Sequence, residues 1–250
     1  WNWKAGGTAP VKTYVVKVVS DSGNKYRFDD FAASAQTVDL QEGGTYTFDQ
    51  SDSSNSGHPF RFSTTSNGSH GGGSEYTTGV TTNGTPGSSG AYTKITVAAS
   101  TATLYYYCTA HSGMGGQINT NSTFGSSYFD GDIKSTVSAN QAAGFSIVTW
   151  TSNGSNAGTI PHGLGVTPEL IFYKTRGQVA RWHVFIIGLI DGSIDYMHLD
   201  ATIVKQNSLS QWGAPTSSMI SNIGFGNTQP LVAYNFVSKP GYSKMGVYTG

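Results

Sequence analysis

Short runs of alternating apolar and polar residues recur along the whole chain and limit the folds that it can adopt. Turns rich in Gly, Asn, Ser and Thr separate these runs, and long amphipathic patterns with helical spacing are missing. A period of two is typical of β-strands that bury one face. The sequence therefore predicts an all-β fold. The predicted strands cover residues 13–20, 45–49, 59–63, 92–99 and 103–109, and then 145–151, 169–175, 182–188, 194–199 and 230–237.

The predicted strands fall into two groups, on either side of a polar stretch at residues 121–143. We predict that this stretch is a linker between a first β-domain, residues 13–120, and a second, residues 144–250. Residues 1–12 have turn chemistry and are predicted to form an N-terminal arm or linker. The Gly-, Ser- and Thr-rich stretch 64–91 is too polar for a core, which predicts either an excursion or a set of short edge elements.

Charge and cysteine content exclude several classes of partner. The formal net charge is zero and 11% of the residues are charged, which argues against nucleic-acid binding or an anionic membrane surface. No apolar run is long enough to span a bilayer, so membrane insertion is not expected. The single cysteine excludes an intrachain disulfide framework. A start at Trp1 and an end after GVYTG indicate a piece of a longer polypeptide.

The segment TLYYYCT carries that cysteine and leads into a loop with two further donor side chains. Strand periodicity places Leu104, Tyr106 and Cys108 on one face, with Cys108 at the inner end of the strand. The following loop, TAHSGM, allows His111 and Met114 to fold back over the end of a sandwich. A thiolate, an imidazole and a thioether are donors that copper favours, so the loop predicts a copper site.

The second histidine of such a site is predicted to come from a distant strand. His58 is the candidate, because it opens the strand HPFRFS directly after the polar loop SDSSNSG. Each of these residues alone is more simply a packed cysteine or a surface histidine. The presence of all four residues, His58, Cys108, His111 and Met114, favours a copper site. His70, in GSHGGG, is predicted to be a loop residue with no role.

The segments EGGTYTFD, NSGHPFRFS and YYYCTAHSGMGG resemble those of the cupredoxins, the small Greek-key β-sandwich blue-copper proteins. The resemblance covers roughly residues 13–120. It implies one mononuclear copper ion as the cofactor. Two departures stand out: Pro59 follows the first histidine, where many cupredoxins carry a bracing Asn, and the insertion at 64–91 is long. The implied copper ligands are His58, Cys108, His111 and Met114.

The second half resembles a module of tailed-phage structural proteins, especially those of marine and cyanobacterial phages. The similar segments are GFSIVTWTSNGSNAGTIPHGLGVTPELIFYKTR and LVAYNFVSKPGYSKMGVYTG, within residues 122–250, and the opening WKAGG resembles the joint after such a module. The resemblance implies a second antiparallel β-sandwich in a virion appendage. It also implies a homo-oligomer, for which we expect a trimer, with other virion proteins and host-surface glycans as partners.

Histidines and a turn in the second half have simpler structural interpretations. His162 lies in the turn PHGLG, where a structural role is predicted rather than a catalytic one. His183 and His198 alternate with apolar residues, which predicts packing or surface positions. The segment DGSID, residues 191–195, lacks the ligand density of a calcium loop, so a hairpin turn is expected. The tryptophans are predicted to form core or subunit contacts, with a sugar platform as the alternative: Trp150, Trp182 and Trp212.

Three functions remain open from the sequence. The favoured one is a non-enzymatic virion structural protein, such as a tail fibre, spike or decoration protein, that carries a copper-binding module. The alternatives are an extracellular blue-copper electron-transfer protein and a carbohydrate-binding adhesin module, either secreted or at a cell surface. No Ser-His-Asp arrangement, phosphate-binding Gly loop or paired acidic motif is evident, so no enzymatic activity is expected.

Overall fold

The computed structural model describes residues 9–155, 157–187, 195–207, 213–221 and 227–247. Strands and turns dominate these residues, which confirms the all-β prediction. The helical segments include short 3₁₀ turns at Ser53–Asn55 and Gly68–Gly71. In the part of the chain that the structure describes, we find no helix with the length and apolar character to cross a membrane.

The chain forms two compact units that divide between Phe129 and Asp130. We call residues 9–129 the N-terminal unit and the described residues from 130 to 247 the C-terminal unit. This division falls inside the stretch 121–143, where the boundary was predicted, but the stretch is not a linker, because it contains strands. Its serines looked solvent-exposed, but Ser126 and Ser127 are buried.

Each of these two serines has a hydrogen-bond partner within the protein in place of water. The Ser126 hydroxyl lies 2.5 Å from that of Tyr46, and the Ser127 Oγ accepts the Asp39 N–H at 2.8 Å. The predicted arm at 1–12 is also too long, since β1 begins at Val11, while residues 1–8 lie outside the described residues.

The N-terminal unit is a two-sheet sandwich. Its strands are β1 (Val11–Ser20), β2 (Asn24–Phe28), β3 (Val38–Gln41), β4 (Thr45–Asp49), β5 (Phe60–Ser63), β6 (Val80–Asn83), β7 (Tyr92–Thr96), β8 (Leu104–Cys108), β9 (Gly116–Asn121) and β10 (Ser126–Tyr128), which follows β9. In the first sheet the order is β2-β1-β4-β7-β6, and in the second it is β3-β9-β8-β5. The pairs β1–β4 and β3–β9 are parallel, and the other pairs are antiparallel.

One aromatic core fills the space between these two sheets. Alternate residues of β1, β2, β3, β4, β5 and β8 point into it, as the period of two predicts. The predicted inward face of β8 is confirmed, because Leu104, Tyr106 and Cys108 are at most 1% exposed. Phe60 lies at the centre, with its ring 4.7 Å from Phe48 and 5.3 Å from Tyr106. The core therefore reaches the end of β8 that carries the cysteine.

The strands of the C-terminal unit are β11 (Ser135–Asn140), β12 (Phe145–Thr151), β13 (Thr159–Pro161), β14 (Leu170–Thr175), β15 (His183–Ile186), β16 (Asp195–His198), β17 (Gln206–Asn207), β18 (Met219–Ser221) and β19 (Pro230–Phe236). They form an antiparallel sheet with the order β11-β12-β19-β14-β15-β16-β17 and a small sheet of β13 and β18. The five strands predicted in this half are present within two residues of their predicted bounds.

Candidate metal centre

Strand pairing brings the predicted ligand residues to one end of the second sheet. β5 and β8 run antiparallel, with Phe60 opposite Cys108. His58 lies two residues before Phe60, so it is close to the residues that directly follow Cys108 at the end of β8. The Thr109 N–H donates to the Pro59 carbonyl at 3.2 Å and fixes this junction. The loop with His111 and Met114 begins here.

Three of the four predicted residues form a compact cluster of donor atoms. The Cys108 Sγ lies 3.9 Å from His58 Nδ1 and 3.8 Å from His111 Nδ1. Ligand-capable atoms of all three side chains lie within 4.8 Å of one another. Cys108 is fully buried, His58 is half-buried and His111 is exposed. The site is thus closed on the sulfur side and open at His111.

Met114, the fourth predicted residue, is buried in the same hydrophobic core as Cys108. Its exposed fraction is 1%, and its carbonyl accepts the Tyr26 N–H at 3.0 Å. This hydrogen bond ties the end of the loop to β2. The residue is therefore held inside the unit, on the buried side of the loop.

Burial and charge favour the protonation state that His58 needs to bind a metal. Burial lowers the pKa of His58, and the neighbouring His111 lowers it further. The neutral imidazole that results keeps a lone pair for coordination. Burial also raises the pKa of Tyr26, with Cys108 adding to the effect. Tyr26 therefore stays protonated and donates its hydroxyl to the His58 carbonyl at 2.8 Å.

Two buried polar residues that the sequence analysis missed hold the His58 segment. The Gln50 Nε2 donates to the His58 carbonyl at 2.9 Å, while its Oε1 accepts the Phe60 N–H at 3.1 Å. The Asn55 Nδ2 donates to the Val16 carbonyl at 2.7 Å. Both side chains are at most 1% exposed. Their polar character suggested a solvated loop, but Gln50 bridges two residues of the His58 segment and Asn55 bonds to a strand 39 positions away.

Contrary to prediction, His70 has a structural partner. Its Nε2 lies 3.1 Å from the Cys108 carbonyl oxygen. The 64–91 stretch contains a 3₁₀ turn, which carries His70, and the edge strand β6. It is therefore a set of short elements, which was the second of the two alternatives.

The donor set of the cluster suits a metal ion. A buried thiol beside two imidazoles matches the preferences of copper, and also those of zinc. Cys108, His58 and His111 would hold the ion, and Met114 would supply a thioether. The arrangement provides no carboxylate, so hard cations such as calcium or magnesium do not fit it.

His162 of the C-terminal unit is a fixed, neutral histidine. It is fully buried, its Nε2 lies 3.2 Å from the Thr216 carbonyl, and its Nδ1 accepts the Leu164 N–H at 3.2 Å. The Nε2 must therefore carry the proton. Burial lowers the pKa of His162 to about 4. This arrangement matches the structural role predicted for the PHGLG turn.

We expect the C-terminal unit to lose stability as the pH falls from about 6.5 to about 4. Above pH 6.5 His162 is neutral in both the folded and the unfolded protein. Between about pH 6.5 and pH 4 it becomes protonated only in the unfolded protein. The wild type should lose about 2–3 kcal/mol more than His162→Gln between about pH 7 and pH 4.5. Urea unfolding followed by tryptophan fluorescence measures this difference. Equal losses in the two proteins would contradict the assignment.

The remaining candidates of the C-terminal unit give no clear site. The rings of His183 and His198 lie 4.7 Å apart across β15 and β16, in the packing role that was expected. Trp150 is 4% exposed, so a sugar platform that includes it is wrong. Trp182 is half-buried, with Lys174 Nζ 5.4 Å from its ring centre. Trp212 and residues 191–194 of the DGSID turn lie outside the described residues.

Comparison with known proteins places the C-terminal unit in a family. A model described as a domain of unknown function, DUF7483, matches residues 119–250. No curated protein and no solved structure matches the chain. The matched segment starts in β9 and runs through all strands of the C-terminal unit. Because it spans more than half of the 250 residues, the chain belongs to the DUF7483 family.

Proposed function

We propose that the N-terminal unit binds one copper ion, within a non-enzymatic structural protein of a virion appendage. The observation that carries the copper proposal is the convergence of His58, Cys108 and His111. These residues come from segments 50 positions apart, yet their donor atoms lie within 4.8 Å. A surface cysteine or histidine without a role would not require this convergence.

The surroundings of the cluster suit a bound ion. Copper would supply one-electron redox chemistry at the site. The protein excludes water from the Cys108 sulfur, keeps His58 neutral and fixes the His58 segment through Gln50 and Tyr26. A site that is formed in advance has little left to order when the ion arrives.

The appendage role is supported by the resemblance of the second half to phage structural modules. Apolar side chains that are exposed on the C-terminal unit, among them Leu199 and Val204, suit burial between copies in a homo-oligomer. We expect a trimer that contacts other virion proteins and host-surface glycans. An elongated, symmetric oligomer in light scattering and electron microscopy would support this role, and a compact monomer would contradict it.

Extracellular electron transfer is the second candidate, and the exposure of His111 favours it. An exposed ligand would give a redox partner a short path to the ion, while Cys108 stays buried. A reversible redox couple in a compact monomer would support this alternative. The adhesin alternative has less support, because Trp150 is buried and cannot stack on a sugar.

Copper binding is tested by titrating metal-free protein with Cu(II) and measuring the bound metal. We expect one copper per chain. His58→Gln should weaken the affinity by about 100-fold or more, beyond the loss typical of residues outside the ligand set. His198→Gln is the matched control, because it removes an imidazole from the C-terminal unit, and it should bind like the wild type. Equal binding by all three proteins would refute the site, and preference for zinc would refute the choice of metal.

A further inference from the structure

Side chains of the inserted stretch hold the backbone of the loop that carries the candidate ligands. The Asn67 Oδ1 accepts the Gly113 N–H at 2.8 Å, between His111 and Met114. The His70 Nε2 lies 3.1 Å from the Cys108 carbonyl oxygen. One short turn therefore contacts the last residue of β8, directly before the loop, and also the loop near its end. These contacts bridge 46 and 38 positions of sequence, so they are tertiary contacts and not local turn bonds.

The backbone of this turn is shaped to lie against β8. Asn67 has φ 62°, a left-handed conformation that Asn adopts more readily than most residues. The next residue, Gly68, lies so close to Tyr107 that an added Cβ would be 2.5 Å from the ring. Tyr107 is 1% exposed although it points away from the core of the sandwich. The turn and the strand thus fit closely, independently of the two hydrogen bonds.

We propose that residues 67–70, which we name the clamp, set the position of the ligand loop, with Asn67 and His70 as positioning residues. The clamp holds the loop before any metal arrives. Its effect on metal binding rests on the copper site proposed above, but its effect on the loop does not. Pro59, directly after His58, has no polar side chain that could hold the ligand loop by a hydrogen bond. The insertion supplies the restraint from another part of the chain.

Other contacts keep the unit folded when the clamp is removed. Lys25 Nζ donates to the Gly113 carbonyl, the Tyr26 N–H donates to the Met114 carbonyl and the Thr109 N–H donates to the Pro59 carbonyl. The loop should therefore open locally more often, while the aromatic core stays intact. Cys108 reports this opening, because it is the only thiol in the chain and is fully buried when the loop is closed.

The test is the rate at which iodoacetamide alkylates Cys108 in metal-free protein. Asn67→Gly removes the side chain and tolerates positive φ, and His70→Ala removes the imidazole. Each should raise the rate about 5-fold, and the double variant about 10-fold or more, as expected for lost hydrogen bonds that close a local opening. The rates should not depend on urea at low concentration, which identifies local opening and not global unfolding.

Two further variants are controls for the alkylation experiment. Asn67→Asp keeps an acceptor oxygen and should react at close to the wild-type rate. Asn83→Ala removes another side chain bonded to a backbone carbonyl, that of Gly90 at 2.9 Å, at a position on β6. It should also match the wild type. Rates within twofold of wild type for Asn67→Gly, His70→Ala and the double variant would overturn the clamp.

Copper binding by the same variants separates the two proposals. If the clamp positions ligands, the double variant should bind Cu(II) about 10-fold more weakly, as for residues that orient metal ligands. Faster alkylation with no copper bound by any protein, wild type included, would overturn the copper proposal and leave the clamp standing. Copper binding by the wild type with unchanged alkylation and affinity in the variants would overturn the clamp alone.

Discussion

Gly115→Ala is expected to destabilise the N-terminal unit by about 3 kcal/mol or more, because its new methyl group has no space. A Cβ at Gly115 would lie 1.7 Å from the Tyr106 carbonyl oxygen and 3.0 Å from the Tyr107 Cα. Both atoms belong to the backbone of β8, which a side-chain rotation cannot move. The strand that carries Cys108 must shift, so the candidate site should be lost together with the stability.

Pulsed alkylation of Cys108 across a urea titration measures this effect, because a pulse too short for the rare local openings of the loop labels the buried thiol only where the N-terminal unit is unfolded. Gly246→Ala is the control, since an added Cβ there has no neighbour within 4 Å. It should unfold with the wild type. A Gly115→Ala protein with the wild-type urea midpoint would show that β8 and the loop do not approach as described.

Phe60→Ala is expected to cost about 3–5 kcal/mol, as is usual when a buried aromatic residue is truncated. The Phe60 ring is fully buried and lies 5.0 Å from Tyr26 and 4.7 Å from Phe48. Since Phe60 pairs with Cys108, the cavity also lies directly beside the candidate site. We therefore expect weaker copper binding as well as a lower urea midpoint.

Phe124→Ala is the matched control for this truncation. Phe124 is 77% exposed, so its loss should change the free energy of unfolding by less than about 0.5 kcal/mol. Similar midpoints for the two variants would mean that Phe60 does not occupy the centre of the core. The comparison uses the same thiol readout and needs no metal.

Periodicity was sufficient to predict the parts of the site that lie on strands. The period of two placed Cys108 on the inward face of β8, and the short spacing to His111 left one loop to join them. A core-facing strand has only one set of inward positions, so recognising the strand was enough to predict that Cys108 faces the core. The same argument found the strands β12, β14, β15, β16 and β19 of the C-terminal unit, but it missed the six-residue strand β11.

Contacts between distant segments could not be predicted in this way. The period of two put Tyr107 on the outer face, yet it is buried, because the clamp covers that face. Asn67 and Gln50 carry no local signal for their partners, since polar residues in Gly- and Ser-rich stretches resemble solvated loops. Strands such as β10 and β13, with three residues each, are too short to show a period. Hydrogen bonds across the fold decide such positions.

The absorption spectrum of copper-loaded protein shows whether the Cys108 sulfur binds copper. Metal-free wild type and Cys108→Ser should be loaded with one equivalent of Cu(II), and their visible spectra compared. We expect an intense thiolate-to-copper charge-transfer band in the wild type, and its loss in Cys108→Ser. A wild type that binds no copper, or a spectrum that the substitution leaves unchanged, would contradict a copper site at His58, Cys108, His111 and Met114.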